Sequence, residues 1–193
     1  MKHFRRNTLE QKASRFTEQT KKWLIEALFD LMKEKPYSII TVKEIADQAQ
    51  LSRRTFYRNF KVKEDLLSKY TNYLFEDYIK SIKGKNDFSF NSILANYFEF
   101  WNKHIKELKL LKQNHLFYFI MEQINSFIPN INEFTEVQWH NYDNDIEEEY
   151  ISRYNIGGLW NILYKWIDNE ERESPKEMVQ VIRKAISDFS KSL

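Results

Sequence analysis

Apolar side chains recur three and four positions apart along most of this chain, a period that commits it to helices packed through one face. Between Thr20 and Glu34 the stripe is Leu24, Ala27, Leu28, Leu31 and Met32. Lys35-Pro36 ends it, because proline disfavours helix at the residue before it. Thr41 to Ala49 reads as a second, short helix. Thr41 followed by Glu44 three residues on is a capping box, and Ile45, Ala46 and Ala49 form the buried stripe. Ser52 is the N-cap of a third helix running to about Asn59, anchored inward by Phe56 and Phe60. A long fourth helix starts near Lys63, with Leu66, Leu67, Tyr70, Tyr73, Leu74 and Ile82 on its apolar side. Gly84 to Asp87 is the best break between parts. Beyond it the pattern predicts helices over 89–107, 107–114, 115–138, 145–168 and 175–191. Pro129 is expected to kink or break the third of these. Ser174-Pro175 opens the last, with proline in the first turn and Glu177 near the N-terminus.

Glycine and proline number only three each, too few for the turns of an all-β protein and for a Gly-rich phosphate loop. With no cysteine there is neither a disulfide nor a thiolate metal site, which fits a reducing compartment. The uninterrupted apolar runs, such as Phe117 to Met121, fall well short of the roughly 20 residues of a membrane span. Lys2, Arg5 and Arg6 make the N-terminus basic, but no apolar stretch follows as in a signal peptide, so a cytoplasmic location and no membrane partner are expected. The four histidines, His3, His104, His115 and His140, show no close metal spacing. The acidic run Asp143, Asp145, Glu147, Glu148 and Glu149 reads as a solvated helix start favoured by the helix dipole. No nucleophile elbow occurs. Neither catalytic residues, a cofactor nor a metal is expected. Charge is divided: residues 1–83 carry 18 Lys/Arg against 11 Asp/Glu, a net +7, and residues 84–193 carry 12 against 17, a net −5. A basic first part suggests a polyanion partner; an ordinary solvated surface is the other reading.

Two short helices joined by a tight turn, the second rich in Arg, Thr and Tyr, form a helix-turn-helix. Such a second helix must offer polar and basic side chains to a major groove while apolar ones clamp it to the first. In Leu51 to Phe60, Leu51, Phe56 and Phe60 face inward, and Arg53, Arg54, Thr55, Tyr57, Arg58 and Asn59 lie outside or at the edge. Arginine suits guanine edges and phosphates through its two parallel donors. Thr55 and Tyr57 suit phosphates. The stretch Thr20 to Leu67 resembles the DNA-binding domain of the TetR/AcrR family of bacterial regulators. Ala27-Leu28, Thr41-Val42-Lys43-Glu44-Ile45-Ala46, Thr55-Phe56-Tyr57 with Phe60, and Lys63-Glu64-Asp65-Leu66-Leu67 carry the likeness.

The resemblance implies that Arg53, Arg54 and Thr55 read bases or nearby phosphates, and that Tyr57, Arg58 and Asn59 make further backbone or base contacts. It implies phosphate contacts for Thr41 and Lys63 at the starts of their helices, a place that favours phosphate on its own account. Ser52 reads as a cap, with a phosphate contact as a second role. Tyr57, Arg54 and Arg58 also have a plain surface reading. The basic arm at 1–16 (Lys2, Arg5, Arg6, Lys12, Arg15) reads as a solubilising tail or as a tracker of phosphates. Two departures from the family stand out. Gln50 occupies a turn position that commonly holds glycine, so a left-handed backbone is expected there. Val62 stands where a polar cap often opens the fourth helix.

The fold expected is all-α, with about nine helices: a three-helix DNA-binding domain over 17–77, linked by the long fourth helix to a helical bundle over 78–193. The bundle's middle helices carry Tyr97, Phe98, Phe100, Trp101, Phe117, Tyr118, Phe119 and Phe127. These read as ordinary core or as walls of a pocket for a small apolar or aromatic effector. The family places an effector there, with Phe98, Trp101, Phe117 and Phe119 as candidate contacts. Gly157-Gly158 inside a helical pattern costs about 1 kcal/mol per glycine against alanine, so a close approach of backbones is the expected compensation. With Trp160, Trp166 and Ser174-Pro175, this stretch resembles the C-terminal region of one TetR subgroup. In the family the last two helices pair with their copies, which makes Ile156, Leu159, Leu163, Val179, Ile182 and Ile186 interface or core residues. One short reading helix contacts few base pairs, so a homodimer on a palindrome of double-stranded DNA is expected. A repressor released by a small effector is the family default; a regulator governed by a protein partner, or a helical module that binds no DNA, is the alternative.

Overall fold

The computed structural model describes residues 2–83, 85, 87–126 and 143–191. The elements are α1 (Lys2–Glu34), a 3-10 turn (Tyr37–Ile39), α2 (Val42–Gln48), α3 (Arg53–Asn59), α4 (Glu64–Ile82), α5 (Phe90–Lys103), α6 (Ile105–Gln113), α7 (Phe117–Asn125), α8 (Asp145–Trp166) and α9 (Pro175–Ser190). Among the described residues there is no strand, and the fold is all-α. The 1–16 arm is helical from Lys2 and continuous with α1, since no glycine or proline interrupts residues 2–34. The expected helix over 115–138 is seen as α7; Phe127, Pro129 and His140 lie outside the described residues, as does Gly84.

The chain divides into two compact units, Met1–Asn72 and Tyr73–Leu193. In the first, α2 packs on α1 and α3 on both. Its centre is Leu24, Leu28, Ile40, Ile45, Ala46, Phe56, Leu66 and Leu67, all buried to within 2%. Each large side chain so buried contributes about 1.5–3 kcal/mol, which is what holds helices as short as α2 and α3. In the second unit α5 packs on α9 and α6 on α7. Its core is aromatic: Phe98 against Trp166 at 5.4 Å, and Phe117 against Trp160 at 5.6 Å and Tyr164 at 5.0 Å.

The turn between α2 and α3 has the strained backbone expected of it. Gln50 sits at φ 56°. Its N–H bonds the Asp47 carbonyl at 3.0 Å, and the Leu51 N–H reaches back to Ala46 at 2.8 Å. Together these are a Schellman closure, whose left-handed residue is usually glycine. Gln50→Gly relieves about 1–2 kcal/mol of side-chain strain and adds about 0.5–1 kcal/mol of chain entropy to the unfolded state. A net gain of about 0.5–1 kcal/mol is expected in urea unfolding followed by circular dichroism.

Candidate nucleic-acid interface

The turn sets the start of α3, and Ser52 caps it. The Ser52 Oγ accepts the Thr55 N–H at 3.0 Å, and the two hydroxyls lie 2.9 Å apart. Phe56 and Phe60, both buried with rings 5.8 Å apart, fasten the inner side. The opposite side carries Arg53, Arg54, Tyr57 and Arg58, all exposed. The three arginines make no hydrogen bond and no ion pair among the described residues. Three permanent positive charges therefore stand in water on one seven-residue helix. Tyr57 is 59% exposed, with its ring edge against Phe56 at 5.4 Å, so it packs through its base and leaves its hydroxyl outside. Thr55 and Asn59 are half-buried at the edge. The Asn59 amide nitrogen donates to the Thr55 carbonyl at 2.8 Å. Lys61, which sequence reasoning passed over, is exposed just beyond α3 and extends the basic surface.

Two of the residues expected to contact phosphate make hydrogen bonds inside the unit. The Thr41 hydroxyl and N–H both donate to Glu44 Oε2, at 2.8 and 2.9 Å, completing the capping box of α2. That carboxyl is held down to about 2, mainly by the Lys35 ammonium bonded to it and then by Thr41. Both donors of Thr41 are thereby engaged within the unit. The Lys63 Nζ donates to the carbonyls of Tyr37, Ser38 and Ile40 at 2.8, 3.3 and 3.0 Å, over the Tyr37 ring. An ammonium has three donors, and all three are taken. Lys63 pins the 3-10 turn to the start of α4. Lys63→Met is expected to lower stability by about 1–2 kcal/mol. The same variant should leave the slope of log Kd against log salt unchanged in DNA titrations. A phosphate contact would lower that slope by about one per protomer.

The uncapped start of α4 is repaired from within. Asp65 accepts the Lys61 and Val62 N–H groups at 2.7 and 3.1 Å, so Val62 needs no polar side chain. The Tyr37 hydroxyl donates to Glu64 at 3.0 Å; burial first, and then Glu64, push its titration well above the usual phenol range.

In the second unit an apolar cavity of about 80 Å³ is walled by Leu74, Phe75 and Tyr78 of α4, Tyr97 and Trp101 of α5, Ile124 of α7, and Ile156, Leu159 and Trp160 of α8. Of the four aromatic candidates only Trp101 lines it. Phe98 and Phe117 are core, turned onto Trp166 and Trp160, and half-buried Phe119 is not in its wall. Ile156 and Leu159 face this cavity, while Leu163, Val179 and Ile182 are buried within the chain itself. Of the expected interface set, Ile186 remains exposed, at 50%. A side-chain carbon at Gly157 or Gly158 would meet nothing within 4 Å among the described residues, so no backbone of the unit approaches closely there. No described helix is long and apolar enough to cross a membrane.

Comparison with known proteins places these features. Residues 24–70 match the model of the bacterial regulatory proteins of the tetR family. Residues 90–188, just over half the chain, match that of a transcriptional regulator C-terminal region. An HTH-type dhaKLM operon transcriptional activator, DhaS, of Lactococcus lactis is 29% identical over 156 residues, covering 72% of this chain and 75% of that protein. A TetR transcriptional regulator from Streptococcus agalactiae shares the fold with a TM-score of 0.59 at 22% identity, over 89% of this chain and 96% of that one. A dihydroxyacetone kinase operon activator, DhaS, does so with a TM-score of 0.55 at 22% identity, over 90% and 97%.

Proposed function

The chain belongs to the TetR family of DNA-binding transcriptional regulators, and on that premise we propose that it reads a two-fold-symmetric DNA site as a homodimer and that a small ligand in its second unit changes that binding. The family is non-enzymatic, and binding alone has to do the work. The observation that carries the DNA reading is the row of arginines without a partner among the described residues, Arg53, Arg54 and Arg58, on the outer side of α3. Seven residues rise about 10 Å, which fits a major groove of about 12 Å but spans only a few base pairs. A second copy one helical turn away supplies the missing information.

Exposed apolar side chains support the pairing. Ile146, Tyr150 and Tyr154, between 69 and 77% exposed, fall four apart on α8, with Gly158 next in the row. Val181 and Ile186 are exposed on α9. A partner copy lying along this row would explain a glycine with open space above it. The interface proposed is therefore Tyr150, Tyr154, Gly158, Val181 and Ile186, in place of the more buried set expected from the pattern. Tyr154→Glu is expected to turn a dimer into a monomer in sedimentation experiments and to weaken specific DNA binding at least ten-fold, with helix content unchanged.

The apolar cavity favours control by a small molecule over control by a protein partner. Residues of α4 serve both units: Leu66 and Leu67 lie in the core of the first, and Leu74, Phe75 and Tyr78 line the cavity of the second. Repression by occupying a promoter is the expectation from the family; the name of the Lactococcus relative favours activation as the second reading. A protection assay on the DNA upstream of the chain's own gene tests binding. A reporter behind the protected site then gives the sign: removal of the chain raises transcription under repression and lowers it under activation.

A further inference from the structure

The first unit carries an acidic groove that the DNA reading leaves unused. Its cavity, of about 410 Å³, lies between Trp23, Glu26, Ala27 and Asp30 of α1 and residues 48–51 of the turn that sets the start of α3. The wall holds two carboxylates and no cation. Glu26 makes no ion pair among the described residues. Asp30 is bonded to Lys33 at 2.7 Å, but both side chains are exposed, and such a pair yields readily to a competing cation. Trp23, in the same wall, is 40% exposed. Two turns earlier on α1, Phe16 is 58% exposed, with its ring 6.5 Å from that of Trp23 and nearly perpendicular to it. Tryptophan beside carboxylates at an open surface suits a cation-bearing segment, because the ring face attracts ammonium and guanidinium groups. Duplex DNA, a polyanion, finds no counter-charge there.

We propose that this groove holds residues 2–15 of a second copy of the chain. That segment carries Lys2, Arg5, Arg6, Lys12 and Arg15 against a single acid, Glu10, a net +4. Its own groove is out of reach, because the segment is helical and continuous with α1. Arg5 and Glu26 therefore lie about 30 Å apart along one helix axis. An antiparallel pair of α1 helices crossing near Phe16 brings each basic segment to the other copy's Trp23 and carboxylates. The two contacts are then equivalent by a two-fold axis, so the pair closes and no open chain of copies grows. Exposed ion pairs with two aromatic rings make a weak contact. It is distinct from the pairing through α8 and α9, and it acts between copies brought close together, as on neighbouring DNA sites.

Fluorine NMR of the full-length protein carrying 5-fluorotryptophan tests this, with the Trp23 resonance assigned from Trp23→Phe. Raising the protein concentration is expected to move the Trp23 resonance and to leave those of the other tryptophans in place. A synthetic peptide of residues 2–15, added to dilute protein, should move it in the same direction. A peptide with glutamate at the five basic positions should not. Glu26→Gln with Asp30→Asn is expected to weaken the peptide about five-fold, as the loss of two exposed ion pairs implies. Both positions are exposed, so these changes leave the fold intact. Glu26→Lys with Asp30→Lys should abolish the concentration dependence, as should Arg5→Glu with Arg6→Glu and Lys12→Glu. Both sets of reversals in one chain should restore it. A Trp23 resonance indifferent to concentration, peptide affinity unchanged by the groove substitutions, or failure of the combined reversal to restore the shift overturns the proposal. Peptide binding without concentration dependence overturns it as well, because the groove then serves a basic segment of another protein.

Discussion

Phe56→Ala is expected to cost about 3–5 kcal/mol, enough to unfold most of the DNA-binding unit of a chain with ordinary stability of about 5–15 kcal/mol once urea or warmth is added. The ring is fully buried between Phe60 and Tyr57, with centroids at 5.8 and 5.4 Å. It is the only residue of α3 buried in the unit's core, so its loss leaves a hole and unties the helix at once. A helix of seven residues has no stability of its own in water; packing is what forms it. Specific DNA affinity should therefore fall with the folded fraction, and a saturating operator duplex should recover part of the loss by mass action. Phe56→Leu, which keeps most of the apolar volume, is expected to retain binding. Tyr57→Ala, at a site 59% exposed, should change stability by no more than about 0.5 kcal/mol. Urea unfolding by circular dichroism, paired with an anisotropy titration of a labelled duplex, checks all three. A Phe56→Ala protein as stable as wild type would mean that α3 is held by something other than its inner face.

That inner face was legible because one side of a helix meets a core and the other meets water. Spacing of three and four then separates Phe56 and Phe60 from Arg53, Arg54 and Arg58 without further information. Caps were legible for a related reason: Thr41 with Glu44, and Ser52, act on neighbours three residues away, so the chain itself brings the partners together. Gln50 was legible through the family resemblance, which marks its turn position as one commonly held by glycine, and the helix closure accounts for its φ. Contacts between distant residues are different. Lys63 reads as a phosphate ligand on its own helix, but its acceptors are carbonyls of a 3-10 turn 23 to 26 residues earlier, and no local pattern announces them. In the second unit α5 is covered on several sides, so Phe98 and Trp101, three apart, do different jobs. One fills the core beside Trp166 and the other lines a cavity. A one-dimensional period gives the inside of such a helix but not which neighbour each inward side chain meets. Ile156 and Leu159 show the same limit: the pattern marks them as apolar, interface or core alike, and only the packing of α4, α5, α7 and α8 leaves a void beside them.

Alanine at Arg53, Arg54 and Arg58 together is expected to abolish specific DNA binding while leaving the fold intact. Because these guanidiniums have no partners among the described residues, their removal deletes no internal contact. Urea unfolding should stay within about 0.5 kcal/mol of wild type, as for ordinary surface changes. Affinity is another matter. An arginine that makes a bidentate contact with a guanine contributes about 1–3 kcal/mol of discrimination, and in a homodimer each substitution acts twice. A single base-reading arginine thus accounts for about 2–6 kcal/mol, or roughly thirty-fold to more than ten-thousand-fold in Kd. The single substitutions separate the roles. An arginine that reads a base loses affinity for the operator and little for a scrambled duplex. One that holds a phosphate loses equally on both and lowers the slope of log Kd against log salt by about 0.9 for each contact removed. Arg53, in the first turn of α3, is placed for the first role, since the N-terminal residues of a reading helix contact base edges. Arg58, in its last turn, is placed for the second. If the triple variant keeps its fold and still binds the operator at wild-type affinity, the outer side of α3 does not face DNA, and the basic charge of the first unit has to be assigned to another surface.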